Sequence, residues 1–208
     1  MRKIWILLKN DLLLPSFLNL LAINIFFIAF LFIIFGFTLN NVKDPEFQIP
    51  VIIIWVSYLI NIAFLYPKVY QDDVASGRME SFLANKISAK QIFISKFCYV
   101  LIALSVMNLV LIPLACLLYE IPTITLNNII IATIITNPIL AMLINIFASV
   151  LVQVSQFLGV IILPMLLPVT ILAILASFGM SFSIKILLGI NLILLPLSIN
   201  LSKLLIED

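Results

Sequence analysis

The residues of this chain best suited to chemistry lie in one polar stretch, "YQDDVASGRMESFLANKISAK", residues 70–90. Asp72, Asp73 and Glu80 could serve as metal ligands or as a general acid and base. Their spacing argues against both. Asp72 and Asp73 are adjacent and point in different directions on a helix. Glu80 follows Asp73 by two helical turns, about 10 Å away, too far to share one small ion. The chain contains no histidine, no glycine-rich phosphate loop and no paired nucleophile and base, so an enzyme or ATPase is not expected. If ATP is used, another chain binds it. Cys98 and Cys116 lie in apolar runs about 27 Å apart along a helix. They are read as unpaired apolar-facing residues, and no zinc or iron–sulfur spacing exists.

The elements that must position this stretch are set by composition. Of 208 residues, 64% are hydrophobic and 10% charged, with mean hydropathy +1.32. A soluble domain carries roughly 25% charged residues. The bilayer is therefore the expected solvent. A net charge of +2 without a basic stripe excludes a nucleic-acid partner. Six apolar segments near 17–39, 49–67, 92–118, 124–149, 157–178 and 183–205 are each long enough to cross as helices. The period-two alternation of a barrel is missing. The first segment runs long and lacks a small-residue cleavage site, so it reads as a retained helix. The expectation is one all-α polytopic membrane domain over 1–208, with six transmembrane helices.

Loop charges set the orientation. With the N-terminus inside, Arg2, Lys3, Lys9, Lys68, Arg78, Lys86, Lys90, Lys96 and Lys203 are cytoplasmic, while Lys43 and Lys185 face out. Both termini and the loop at about 68–91 are then cytoplasmic. The outward connections at 40–48 and 120–123 are short. In the loop, Ala75, Met79, Phe82 and Leu83 recur at helical spacing, which predicts one short amphipathic helix over 70–84. It lies along the membrane surface or docks on a cytoplasmic subunit. In the docking reading Phe82 is the buried anchor, Asp73 and Glu80 meet basic partner residues, Gly77 permits close approach and Ser76 is off the stripe.

Within the spans, no arginine, lysine or carboxylate sits at a centre, which argues against a proton- or sodium-driven carrier. The polar set is mild: Asn24, Ser57, Asn61, Asn108, Thr136, Asn137, Asn145, Gln153 and Gln156, suited to bonds across helices. Pro113, Pro138, Pro164, Pro168 and Pro196 fall in or near the spans. Pro164 and Pro168 are one turn apart and predict a bent or interrupted fifth span, either a packing irregularity or a gating element. Trp55 is open between an interfacial role and a place inside the bundle.

The run from the second span into the loop resembles the CcmB family, the heme-exporter-type permease subunit of cytochrome c maturation. The matching residues are Ile53, Ile54, Trp55, Val56, Tyr70, Asp72, Asp73, Gly77, Glu80 and Lys96, with Thr136, Asn137 and Pro138 in the fourth span and Pro164 and Pro168 in the fifth. The chain departs from the family at Lys86, Ser88 and Lys90, where prolines are usual, and at Met142 and Asn145, where glycines are usual. The resemblance implies an ABC-2-type permease of the bacterial inner membrane. Its implied partners are a cytoplasmic ABC ATPase subunit, a heme-handling membrane subunit and a heme chaperone. The 70–84 segment, with Tyr70, Asp72, Asp73, Gly77, Met79, Glu80, Phe82 and Leu83, is then the coupling helix. ATP sits in the partner, heme is the possible cargo, and this chain itself binds no cofactor. Two rival readings share the architecture: a permease for a lipid, drug or polysaccharide, and a membrane scaffold without transport.

The charge asymmetry makes a direct prediction. In intact cells an impermeant thiol reagent should label Asp44→Cys, and label Ser76→Cys only after permeabilisation. The reverse pattern overturns the orientation.

Overall fold

The computed structural model describes residues 2–39, 48–65, 68–85, 87–151 and 158–207, and every element among them is helical. In order these are α1 (Arg2–Leu12), α2 (Pro15–Leu39), α3 (Gln48–Leu65), α4 (Lys68–Ala75), α5 (Arg78–Ala84), α6 (Ala89–Tyr119), α7 (Thr123–Leu151), α8 (Leu158–Ser177) and α9 (Ser181–Glu207). Each expected span coincides with one helix: α2, α3, α6, α7, α8 and α9. Among the described residues four apolar stretches are long enough to cross a membrane: Pro15–Phe35, Ala89–Tyr119, Thr123–Ser149 and Ser181–Leu201. The apolar parts of α3 and α8, Ile49–Ile62 and Leu163–Ser177, are shorter. Lys43 and the rest of the outward 40–47 connection, Lys86, Gln153 and Gln156 lie outside the described residues.

Local chemistry explains the boundaries. Pro15 opens α2, where its missing N–H has no helical partner to lose. The α6 start is capped by Ser88, whose N–H donates to the Gln91 Oε1 at 3.3 Å. Its end is marked by Glu120 in the left-handed region at φ 50. The α8 helix closes on Gly179 at φ 82. There the Gly179 N–H donates to the Ala176 carbonyl and the Met180 N–H to that of Leu175, the paired bonds of a Schellman cap. Pro164 and Pro168 do not interrupt α8, which runs unbroken through both. Both prolines are exposed on its outer face. Pro138 likewise lies inside an unbroken α7.

The α7 helix is the hub, packing on α6, α8 and α9, while α3 packs on α8 and α2. Small residues allow the approach: Ala132 and Ala141 on α7, Ala103 and Ala115 on α6 and Ala173 and Ala176 on α8 are all fully buried. Large apolar side chains such as Leu117, Ile134 and Leu192 face outward. That inversion of side-chain size suits a protein bathed in lipid. The amphipathic α1 was not expected from the sequence. It lays Leu7 and Leu8 inward and turns Trp5 and Ile6 out, and it packs along α6.

Filling one of these close approaches should be costly. Ala141→Leu should destabilise by about 1–3 kcal/mol, read as earlier heat-induced aggregation in detergent. Leu117→Ala, on an 81% exposed side chain, should leave the transition unchanged.

Candidate functional site: a buried ion quartet at the α4–α5 corner

The polar stretch folds as two helices and not one. Ser76 and Gly77 form a turn between α4 and α5, with Gly77 at φ 67. This left-handed conformation strains any residue with a Cβ. A Cβ at Gly77 would meet no atom of this chain within 4 Å, so within the chain the turn is what calls for a glycine. The Ser76 hydroxyl donates to the Asp72 carbonyl at 2.5 Å and accepts from the Arg78 Nε at 3.1 Å, which stitches the turn shut.

The break at Gly77 changes which residues face inward. Asp73 is completely buried. Its carboxylate pairs with Arg78 at 2.6 Å and with the Lys96 ammonium of α6. Lys96 also donates to Asp11 of α1 at 2.9 Å, and Arg78 lies 3.8 Å from the same carboxylate. Two acids and two cations thus form a neutral quartet joining α1, α4, α5 and α6. Tyr70 and Tyr99 cover Lys96, their ring centroids 5.9 Å and 5.7 Å from its nitrogen. Burial raises the Asp11 carboxyl above the ordinary carboxylate range, and the charge of Lys96 counters only part of that shift.

Several expected contact residues are engaged within this chain. Asp73 meets basic residues, but they are this chain's own Arg78 and Lys96. Tyr70 is buried and donates to the Asn145 Oδ1 of α7 at 2.7 Å. Asn145 in turn donates to the Phe93 carbonyl at 2.9 Å. Met79 and Phe82 are partly buried against the core, whereas Ala75 and Ser76 are exposed. Asp72 is half-buried at the edge. Glu80 and Leu83 belong to α5, and their side chains lie outside the described residues. Asp11 and the structural role of Arg78 were missed in the sequence. The available signal was the position of Asp11, the sole carboxylate before Asp44, in helical register with Leu7 and Leu8.

Higher in the bundle, Trp55 resolves to an interior residue. It is 1% exposed, donates to the Ser177 Oγ at 2.9 Å and stands edge-on to Tyr58. Tyr58 donates to the Asn137 Oδ1 at 2.6 Å and accepts from the Asn108 Nδ2 at 3.0 Å. This triad ties α3, α6 and α7. Among the described residues no cluster of three or more cysteines, aspartates or glutamates could hold a metal.

The family described as "CcmB protein" matches residues 2–206, and the chain belongs to it. No curated protein matches the chain.

The quartet predicts a compensated double variant. Lys96→Met leaves two buried carboxylates facing one arginine and should cost about 3–5 kcal/mol. Adding Asp11→Asn restores neutrality and should recover part of that loss. Removing Lys96 also removes the charge that opposes the upward shift of Asp11. A carboxyl raised in the folded state contributes stability that is lost as pH rises through its folded value. The Lys96→Met protein should therefore regain stability relative to the unsubstituted one as pH falls from 7 toward 5. Melting curves of the three proteins across that range check both statements.

Proposed function

We propose that this chain is the membrane-spanning permease subunit of an ABC-type complex in cytochrome c biogenesis. It couples ATP hydrolysis on a separate subunit to heme delivery or to release of a heme-loaded chaperone. The observation that carries the reading is the family match over residues 2–206, which takes in both the helical bundle and the folded corner between α3 and α6. All six long helices cross the inner membrane, and both termini and the α4–α5 corner face the cytoplasm. A transport protein without its own nucleotide site needs a mechanical input, and this corner suits one. It is short, prefolded and tied to the bundle by Lys96 and Asn145.

The chain carries no catalytic group and no cofactor in this reading. ATP belongs to the ATPase partner. Heme is handled by the neighbouring membrane subunit and its chaperone. Histidine is absent from the chain, so imidazole ligation of iron cannot come from it.

Affinity purification of the tagged chain from its native membrane should bring down an ABC ATPase together with a heme-handling membrane protein. Recovery of an ATPase with lipid- or polysaccharide-processing proteins instead would favour a permease for another cargo. The purified chain alone should show no stoichiometric Soret band when supplied with heme. A band abolished by replacing one Met, Tyr or Cys would overturn the statement that it does not ligate iron.

A further inference from the structure

Two contacts set the level of α2 against α6. The rings of Phe17 and Tyr99 have centroids 5.1 Å apart, and the Tyr119 hydroxyl donates to the Phe32 carbonyl at 3.1 Å. Asn24 falls just under halfway from Phe17 to Phe32, and Asn108 just under halfway from Tyr99 to Tyr119. With a constant rise per residue, the two amides share one level of the bundle. Asn108 donates to the Tyr58 hydroxyl at 3.0 Å, which brings Ser57 and Asn61 of α3 to that level too.

Helical register gives the direction. A helix turns about 100° per residue, so Ser57 and Asn61 stand about 200° and 240° round α3 from Trp55. Trp55 faces α8, through Ser177, and Tyr58 faces α6 and α7. Of the helices packed along α3, α2 is the one left for Ser57 and Asn61. On α2, Asn24 belongs to the buried stripe of Leu20, Leu21 and Ile28, the side that packs on α3 and α6. All three polar residues are fully buried. Among the described residues, no hydrogen-bond partner meets either amide atom of Asn24, the Ser57 Oγ or the Asn61 Oδ1. The Asn61 Nδ2 is used, donating to the Ser57 carbonyl at 2.7 Å. Buried polar atoms left unpaired are destabilising and uncommon in folded proteins. The set is neutral, so an ion would find no counter-charge. It offers a donor in the Asn24 Nδ2, acceptors in two amide oxygens and a hydroxyl that can do either. A cation would leave that donor unpaired. Water both donates and accepts, and takes about 2–4 polar partners.

We propose that the seam between α2 and α3 is a binding site for ordered water, held by Asn24 from one side and by Ser57 and Asn61 from the other. The site is separate from the ion quartet and independent of what the protein transports. It joins α2 to α3 through exchangeable bonds, whereas α3, α6 and α7 are joined at the same level by direct ones.

Radiolytic footprinting of the full chain in lipid nanodiscs tests the site. An X-ray pulse turns bound water into hydroxyl radicals in place, so a buried side chain is oxidised where water lies against it. Ile28 is 2% exposed and leans back over Asn24, one turn before it. Ile144 of α7 is equally buried and neighbours Asn145, whose amide is paired directly. Ile28 should be oxidised at least fivefold faster than Ile144. Asn24→Leu keeps the size of the side chain and removes its donor and acceptor. It should lower the Ile28 rate at least threefold and leave the Ile144 rate unchanged. Asn24→Val makes the same comparison where the leucine variant does not elute as the unsubstituted protein does. Equal rates at Ile28 and Ile144, both fast or both slow, overturn the proposal. A fast Ile28 rate that survives loss of the amide overturns the assignment of the water to Asn24.

Discussion

Four charges share one buried spot, and the end of the molecule where α1, α4, α5 and α6 meet is arranged around that fact. Taking a carboxylate or an ammonium out of water costs several kcal/mol even after relaxation. The arrangement holds only because each ion has a partner at contact distance: Asp73 with Arg78 and Lys96, and Lys96 with Asp11. No single helix can supply the set. Asp11 must come from α1, Asp73 from α4, Arg78 from α5 and Lys96 from α6. The quartet therefore specifies where α1 lies and how the α4–α5 turn is folded. Apolar packing alone, which is tolerant of sliding, would not do so. The left-handed Gly77 is a consequence. Without a reversal there, Arg78 would continue the helix and could not return to Asp73 on the same side.

The ties continue upward from this spot. Tyr70 bonds Asn145, and Asn145 bonds the Phe93 carbonyl, so α4, α6 and α7 meet one level above the ions. Higher again, Tyr58, Asn108 and Asn137 join α3, α6 and α7. Trp55 adds α8 through Ser177. Each such bond in a membrane interior contributes modestly, about 0.6–2 kcal/mol. Their value lies in register: leucines and isoleucines can slide past one another, whereas these pairs cannot. Small residues then let the backbones close around them. Other buried polar atoms, on Asn24, Ser57 and Thr136, have no hydrogen-bond partner among the described residues.

Much of this was legible in the sequence, for reasons that differ by element. The long helices were legible because hydrophobicity over about 20 residues is decided locally, and the structure moves their ends by only a few residues. Asn108, Asn137 and Asn145 were legible as residues that bond across helices because amides in an apolar run have few other uses, whereas Asn61 bonds only the Ser57 carbonyl of its own helix. Tyr58 was not, since an aromatic in such a run reads as apolar until its hydroxyl is placed. The loop was misread in a particular way. Ala75, Met79, Phe82 and Leu83 fit one helical stripe, and that periodicity hid the break at Gly77. A positive φ is set by what the flanking charges must reach, and Asp11 is distant in sequence. For the same reason α1 went unseen: its inward stripe ends in an aspartate whose partner, Lys96, is 85 residues away. Pro164 and Pro168 do not interrupt α8, because both stand on its exposed side.

The geometry also bears on how a push at the corner would travel. A lever made of one straight helix would pass force to α3 and α6 through its two ends. The observed corner is instead anchored in its middle. Tyr70 and Asp73 lie one turn apart on α4 and grip α7 and α6 respectively, through Asn145 and Lys96. A displacement of the 72–78 turn would thus reach α6 and the α7 hub directly, before any slack in the connection to α3 is taken up. Since α1 is held by the same lysine through Asp11, it would move with the corner and not against it. In the coupled reading the moving body is then α1, α4 and the inner end of α6 together. The α7 helix, which packs on α6, α8 and α9, would be where that motion enters the bundle.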